Sequence, residues 1–198
     1  MIEELKDILF PATCLLCGKR PKPLCEECEP TFTVARDSET SFYASELDEG
    51  LGQLMRALKD KNRTAILPVF ARGLRPCLLA AIEQTQPSLL VCPPSSKKNF
   101  RKRGLNPAFE ILKRAAPGDI RVSQRALAHQ RQPEDQRNLN QTGRLVNVSD
   151  LFRARIKAER VLLFDDVKTT GSTLQSAKAA LEKVGVEVVG TCVLAKRI

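Results

Sequence analysis

Val161-Leu162-Leu163-Phe164-Asp165-Asp166-Val167-Lys168-Thr169-Thr170-Gly171-Ser172-Thr173 reads as strand, turn and helix start in one run. Four consecutive apolar residues predict a strand buried on both faces, as in a parallel sheet. Asp165 and Asp166 are expected where that strand ends, the edge on which open α/β sheets bind ligands. Lys168, Thr169, Thr170, Gly171, Ser172 and Thr173 then form a small, hydroxyl-rich turn. A helix follows, with Leu174, Ala177, Leu181 and Val184 expected on its inner face. Backbone N–H groups and hydroxyls at a helix N-terminus suit a phosphate, and Gly171 lets the chain pass close to it. Two carboxylates repel a phosphate but accept hydrogen bonds from paired hydroxyls. Together they describe a ribose 5-phosphate.

The rest of the chain gives that motif a setting. With 198 residues there is room for one domain plus a small appendage. The net charge is +9, and the segment from Pro93 to Arg160 holds sixteen Lys/Arg against six Asp/Glu. Such a concentration points to an anionic partner, a pyrophosphate or a nucleic-acid backbone. No apolar run is read as a membrane span, and no secretory signal is recognised, so a cytoplasmic protein without membrane insertion is expected.

Cys14-x-x-Cys17 and Cys25-x-x-Cys28 are two chelating pairs separated by seven residues. Four thiolates complete a tetrahedral shell, which suits structural zinc, with iron as the alternative. Gly18 suits the turn of a knuckle. Cys77, Cys92 and Cys192 lie among apolar residues and are expected in the core.

Between these ends, residues 1–10 read as a short amphipathic helix and Phe42-Tyr43 as a strand. Helical spacing runs through Leu51, Leu54, Met55 and Leu58, and again from Thr64 to Ile82 with a break near Gly73 and Pro76. Ser88–Cys92 is a core strand. It leads into a basic loop carrying Lys97, Lys98, Arg101, Lys102, Arg103 and Gly104, before a helix with Phe109, Leu112 and Ala116 inward.

The thirteen-residue stretch resembles the signature of type I phosphoribosyltransferases, which bind 5-phosphoribosyl 1-pyrophosphate (PRPP). The resemblance implies an α/β fold, a parallel sheet flanked by helices. It assigns Asp165 and Asp166 to the ribose hydroxyls and residues 168–173 to the 5-phosphate. The four-cysteine unit, the proline-terminated strand, the Arg103-Gly104-x-Asn106 loop and the terminal motif together look like the ComF family, whose proteins are associated with DNA uptake. That likeness implies an N-terminal zinc unit at 1–30 and a phosphoribosyltransferase-like domain at 31–198, with its core at 86–198. It makes Lys97, Lys98, Arg101, Arg103 and Gly104 the pyrophosphate loop. Residues 124–150 become a flap carrying Arg131, Gln136, Leu139, Arg144 and Asn147, with Phe152 just after it. Mg2+ is implied with PRPP. Pro133, Leu105, Pro107 and Cys92-Pro93-Pro94 depart from the family's usual residues.

The activity so implied is displacement of pyrophosphate from C1 of PRPP by an acceptor, carried by positioning and charge stabilisation rather than a protein nucleophile. His129, the only histidine, is expected to have a structural or solvent role. A non-catalytic, PRPP-responsive accessory protein that binds DNA or competence proteins is the alternative. A zinc adaptor on single-stranded DNA is weaker, because the basic segment offers few aromatic platforms. Of the loop cations, Arg103 is expected to face the site and Lys97, Lys98 and Lys102 to face a polyanion.

Overall fold

A computed structural model describes residues 13–19, 23–130, 151–157 and 159–198. The predicted helix at 1–10 and the flap residues Arg131, Gln136, Leu139, Arg144 and Asn147 lie outside them. A 3-10 turn at Glu26–Cys28 precedes β1 (Ala35–Ser38), β2 (Ser41–Glu46), α1 (Glu49–Lys61), α2 (Leu67–Thr85) and β3 (Leu89–Val91). Then come α3 (Lys97–Arg103), α4 (Pro107–Ala115), β4 (Arg121–Ser123) and β5 (Leu127–His129). The chain closes with β6 (Phe152–Ala154), β7 (Arg160–Lys168), α5 (Ser172–Glu182) and β8 (Glu187–Lys196).

Six strands form one sheet in the order β1-β2-β8-β7-β3-β4, and all its pairs are parallel except β1–β2. Strands β5 and β6 pair antiparallel beside it. Because strand side chains alternate, β7 sends Leu162 and Phe164 into a core shared with α1, α2 and α4, and Val161 and Leu163 into one shared with α5. This is the three-layer arrangement that the apolar run at Val161 predicts. Cys77, Cys92 and Cys192 are buried, as expected.

Several expectations need correction. Strand β7 runs on to Lys168, so the acid pair lies inside the strand, with Val167 and Lys168 still paired to Ala195 and Lys196. Val184 lies beyond the end of α5 and is exposed, while Leu174, Ala177 and Leu181 are buried. No break occurs at Gly73 or Pro76: α2 is continuous, because burial of Phe70, Leu74, Cys77, Leu78 and Ala81 outweighs one lost hydrogen bond. Residues Thr64–Thr85 do have the length and hydropathy of a membrane span. In this fold they are instead the helix that covers the sheet. The basic stretch is not all loop either. Lys97–Arg103 is helical, started by the Ser96 hydroxyl accepting from Asn99 N–H at 3.2 Å and ended by Gly104 at φ 71°. On α4 the inner face is Ala108, Ile111, Leu112 and Ala115.

Candidate ribose-phosphate site

The alternation along β7 carries on through the acid pair and separates its two side chains. Asp165 lines a small pocket with Lys168, Thr169, Gly171, Ser172 and Thr173 on the α5 side. Asp166, only 7% exposed, meets α1, where its Oδ1 accepts from Lys59 Nζ at 2.8 Å. The Asp166 N–H donates to Asp165 Oδ1 at 2.9 Å, which fixes the rotamer of Asp165. Burial, and then the charge on Asp166, push the Asp165 carboxyl up to about 7. It is therefore poised to change protonation near neutral pH.

Gly171 starts α5 at φ 77°, a conformation that side chains rarely adopt. A Cβ there would also press on Lys168 Cε at 3.4 Å. Gly171 has no side chain to cap this helix; the Ser172 N–H donates to Thr170 Oγ1 at 3.4 Å, and the N–H groups of Thr173 and Leu174 face the pocket end of the helix where an anion can be held. Thr170 Oγ1 donates to Ser172 Oγ at 3.2 Å, and Ser172 lines the pocket. The Lys168 stem lies against Gly171 while its ammonium is engaged elsewhere. Its Nζ donates to Asp37 Oδ2 at 2.8 Å, and Lys196 Nζ reaches the same oxygen at 3.0 Å. Burial opposes ionisation there, yet Lys168, Ser41 and Lys196 hold the Asp37 carboxyl well below the usual carboxylate range.

The basic helix is tied to the acid pair through α1. Arg103 Nε donates to the backbone oxygen of Lys59 at 2.7 Å, and its side chain is only 15% exposed. Lys102 Nζ lies 3.5 Å from Asp60. Lys98 and Arg101 are exposed and, among the described residues, make no ion pair. Asn106 is buried and donates to the Pro93 oxygen at 3.1 Å, closing the turn after β3. His129 Nε2 is 2.9 Å from the Pro94 oxygen, and its ring lies 5.0 Å from that of Phe152.

Cys14, Cys17, Cys25 and Cys28 converge, with all four sulfurs within 4.8 Å of one another. Cys17 and Cys25 Sγ are 3.6 Å apart, against edges of roughly 3.8 Å in a tetrahedral thiolate shell with 2.3 Å bonds. Burial works against Cys14, but the N–H groups of Cys17, Cys25 and Leu16 bring its thiol down to about 6. Cys28, crowded by Cys25 and Cys17, is pushed up to about 12. Four thiols packed this closely resist losing all their protons unless a cation joins them. The set fits a metal ion such as zinc. Gly18 adopts φ 74°, the turn that its position after Cys17 predicts.

Residues 102–198 match the phosphoribosyl transferase domain. That segment is phosphoribosyltransferase-like. The matched segment contains the acid pair, the Gly171 loop and strands β4 to β8. The chain is also similar to two solved structures, adenine phosphoribosyltransferases from Leishmania donovani and Leishmania tarentolae. Each is 15% identical with a TM-score of 0.41, covering 83% of this chain and 86% and 94% of theirs. No curated protein matches it.

Sequence reading missed Lys59 and Asp37. The partner of Lys59 is 107 residues away. Asp37 meets Lys168 across 131 residues. No local spacing signals contacts of that range.

Proposed function

We propose that this phosphoribosyltransferase-like protein is ComF-like and binds PRPP with Mg2+. In this reading it transfers ribose 5-phosphate to an acceptor with release of pyrophosphate. One observation carries the reading: Asp165 and the Gly171-started N-terminus of α5 line one pocket within the matched domain. The first-turn N–H groups with Thr169, Thr170, Ser172 and Thr173 hold the 5-phosphate. Asp165 accepts from the ribose hydroxyls, and Asp166 supports it while Lys59 balances its charge. Mg2+ prefers oxygen ligands and fits the carboxylate face at Asp165; when bound it neutralises pyrophosphate oxygens. Lys59 places a second positive charge at the same sheet edge. Titration calorimetry of PRPP with Mg2+ should give one site per chain, and an acceptor panel should release pyrophosphate. A chain that binds no PRPP sinks the proposal; binding without turnover would leave the accessory role.

The titration of Asp165 gives this binding a pH signature. Its folded-state carboxyl sits at about 7, above the ordinary value of about 3.9. The proton is thus held more tightly in the folded, ligand-free protein, and stability from this group falls as pH rises from about 4 to 7. A hydroxyl-accepting carboxylate must be ionised. PRPP affinity is therefore expected to weaken on going from pH 8 to pH 6, approaching tenfold per unit below about 7. In Asp165→Asn this dependence should flatten to what PRPP's own phosphates contribute. An unchanged slope in the variant would assign the effect elsewhere.

A DNA-associated role rests on Lys98 and Arg101, exposed and unpaired among the described residues on α3. Binding of single-stranded DNA should weaken steeply with salt. The Lys98→Ala/Arg101→Ala variant should lower the logarithmic salt slope by roughly 1.4, about 0.7 for each phosphate no longer neutralised. DNA binding equal to wild type at low salt would remove this helix from the interface.

A further inference from the structure

Between the register pairs Arg36–Phe42 and Ser38–Ser41, β1 carries one residue more than β2, and that residue is Asp37. A bulge of this kind re-aims a side chain. Here it sends the carboxylate to two lysines, Lys168 and Lys196, which are register partners on β7 and β8. One oxygen, Asp37 Oδ2, accepts from both, at 2.8 Å from Lys168 Nζ and 3.0 Å from Lys196 Nζ. Two cations therefore share one carboxylate whose side chain is only 21% exposed.

The two lysines differ in what else holds them. Lys196 Nζ lies over the Tyr43 ring, 5.2 Å from its centroid, a cation–π contact that keeps it in place. Among the described residues, Lys168 Nζ has besides Asp37 a contact of 3.5 Å with Ser41 Oγ, which already accepts from Thr191 Oγ1 at 3.0 Å. Lys168 is also the lysine that reaches the phosphate loop. It lines the pocket of Asp165, and its Cε lies 3.4 Å from where a Cβ on Gly171 would stand. The ammonium is one bond beyond that carbon, so rotation about the last torsions of the stem redirects it from Asp37 to the loop.

The charges favour that exchange. A phosphate monoester carries about −1.5 to −2 charges near neutral pH, against one on a carboxylate. When Lys168 leaves, Lys196 stays on the same oxygen, so no uncompensated carboxylate is left behind. We propose that Asp37 is a positioning residue of the phosphate site: it holds the Lys168 ammonium beside the Gly171 loop and yields it to the ligand's 5-phosphate, while Lys196 keeps the carboxylate paired. This role rests on the Gly171 loop holding a ribose 5-phosphate, and it brings into the site a group from β1, outside the matched segment. Asp37 thereby sets how tightly the phosphate is held. Without its charge, Lys168 faces Lys196 alone, and repulsion sends it to the loop.

The test is calorimetry of ribose 5-phosphate, and of PRPP with Mg2+, on the full-length chain. Asp37→Asn should tighten both by about fivefold, the contribution of a partly exposed ion pair. A damaged fold does not produce a gain in affinity. Lys168→Met should weaken both ligands by about fivefold on the same arithmetic. In that background Asp37→Asn should shift affinity by no more than about twofold, because the group it positions is gone. Lys196→Met should act with the opposite sign to Asp37→Asn, since Asp37 then keeps Lys168 for itself; this variant decides the matter if Asp37→Asn does not fold. Unchanged or weakened binding in Asp37→Asn overturns the role of Asp37. So does a gain that persists without Lys168, which is the mere removal of a negative charge. If the wild-type chain binds ribose 5-phosphate but not PRPP, the transferase reading falls, and the same variants with ribose 5-phosphate still decide Asp37. A chain that binds neither overturns both.

Discussion

The Asp165→Asn/Asp166→Asn variant is expected to lose PRPP binding by about 10²–10⁴-fold and to remain folded. Asn has nearly the same shape as Asp, so what disappears is charge. A hydrogen bond to a charged group contributes about 1.5–3 kcal/mol, and two hydroxyl contacts make about 3–6 kcal/mol, which is the stated range. The fold should tolerate the change for different reasons at the two positions. At Asp165 the native state already resists ionisation, as the carboxyl at about 7 shows, so an amide removes an unfavourable charge. At Asp166 the change leaves Lys59 without its carboxylate. Breaking a buried pair is strongly destabilising, but the Lys59 side chain is 27% exposed and can turn to water. The single variants should therefore differ: Asp165→Asn loses affinity with little change in melting temperature, and Asp166→Asn loses affinity and some stability. Calorimetry and thermal melts on the three variants check this. Equal PRPP affinity for the double variant and wild type would remove the acid pair from the site.

These contrasts also show which parts of the site can be read from sequence. The strand, the acid pair and the Gly171 turn are contiguous, and each residue type matches its backbone: β-rich apolar residues, then glycine at φ 77°, then helix formers. The helix α1 was equally plain, since Leu51, Leu54, Met55 and Leu58 repeat with the turn of a helix and all are buried. Helix α3 was legible but unread. Ser96 and Gly104 are the start and stop signals of a short helix, yet the density of charge between them suggested a loop. The partition of Asp165 and Asp166 between two faces was hidden for a simpler reason. It depends on β7 continuing to Lys168, which pairing with Lys196 of β8 decides. Lys59, Asp37 and the Arg103 latch belong to the same class, because tertiary contacts choose them and local propensity does not.

Removing the metal from the four-cysteine unit should lower the melting temperature by about 8–16 °C and weaken PRPP binding several-fold, although the unit holds none of the site residues. It is docked onto the two helices that support the acid pair. Cys14 and Leu24 are buried in the main core, with Leu15, Leu16 and Phe32 packed against it. The Phe32 ring lies on the backbone of α2 at Gly73, where a Cβ would sit 2.2 Å from it. Leu16 reaches Gly50 at the start of α1, and Glu29 pairs with Arg72. Zinc contributes about 10–16 kcal/mol to isolated finger peptides, an upper bound here because the sheet folds around its own core. Uncovering two fully buried side chains, at about 1.5–3 kcal/mol each, gives about 4 kcal/mol, and about 2–4 °C per kcal/mol in a domain of this size gives the shift. The effect on PRPP follows from α1, whose Ala57 and Asp60 share a cleft with Leu15 and whose Lys59 holds Asp166. Protein purified without chelators should carry about one zinc per chain, and Cys14→Ser or a strong chelator should release it. Iron in its place would change only the identity of the metal. A metal-free chain with four freely reactive thiols and an unaltered melting temperature would reject the site.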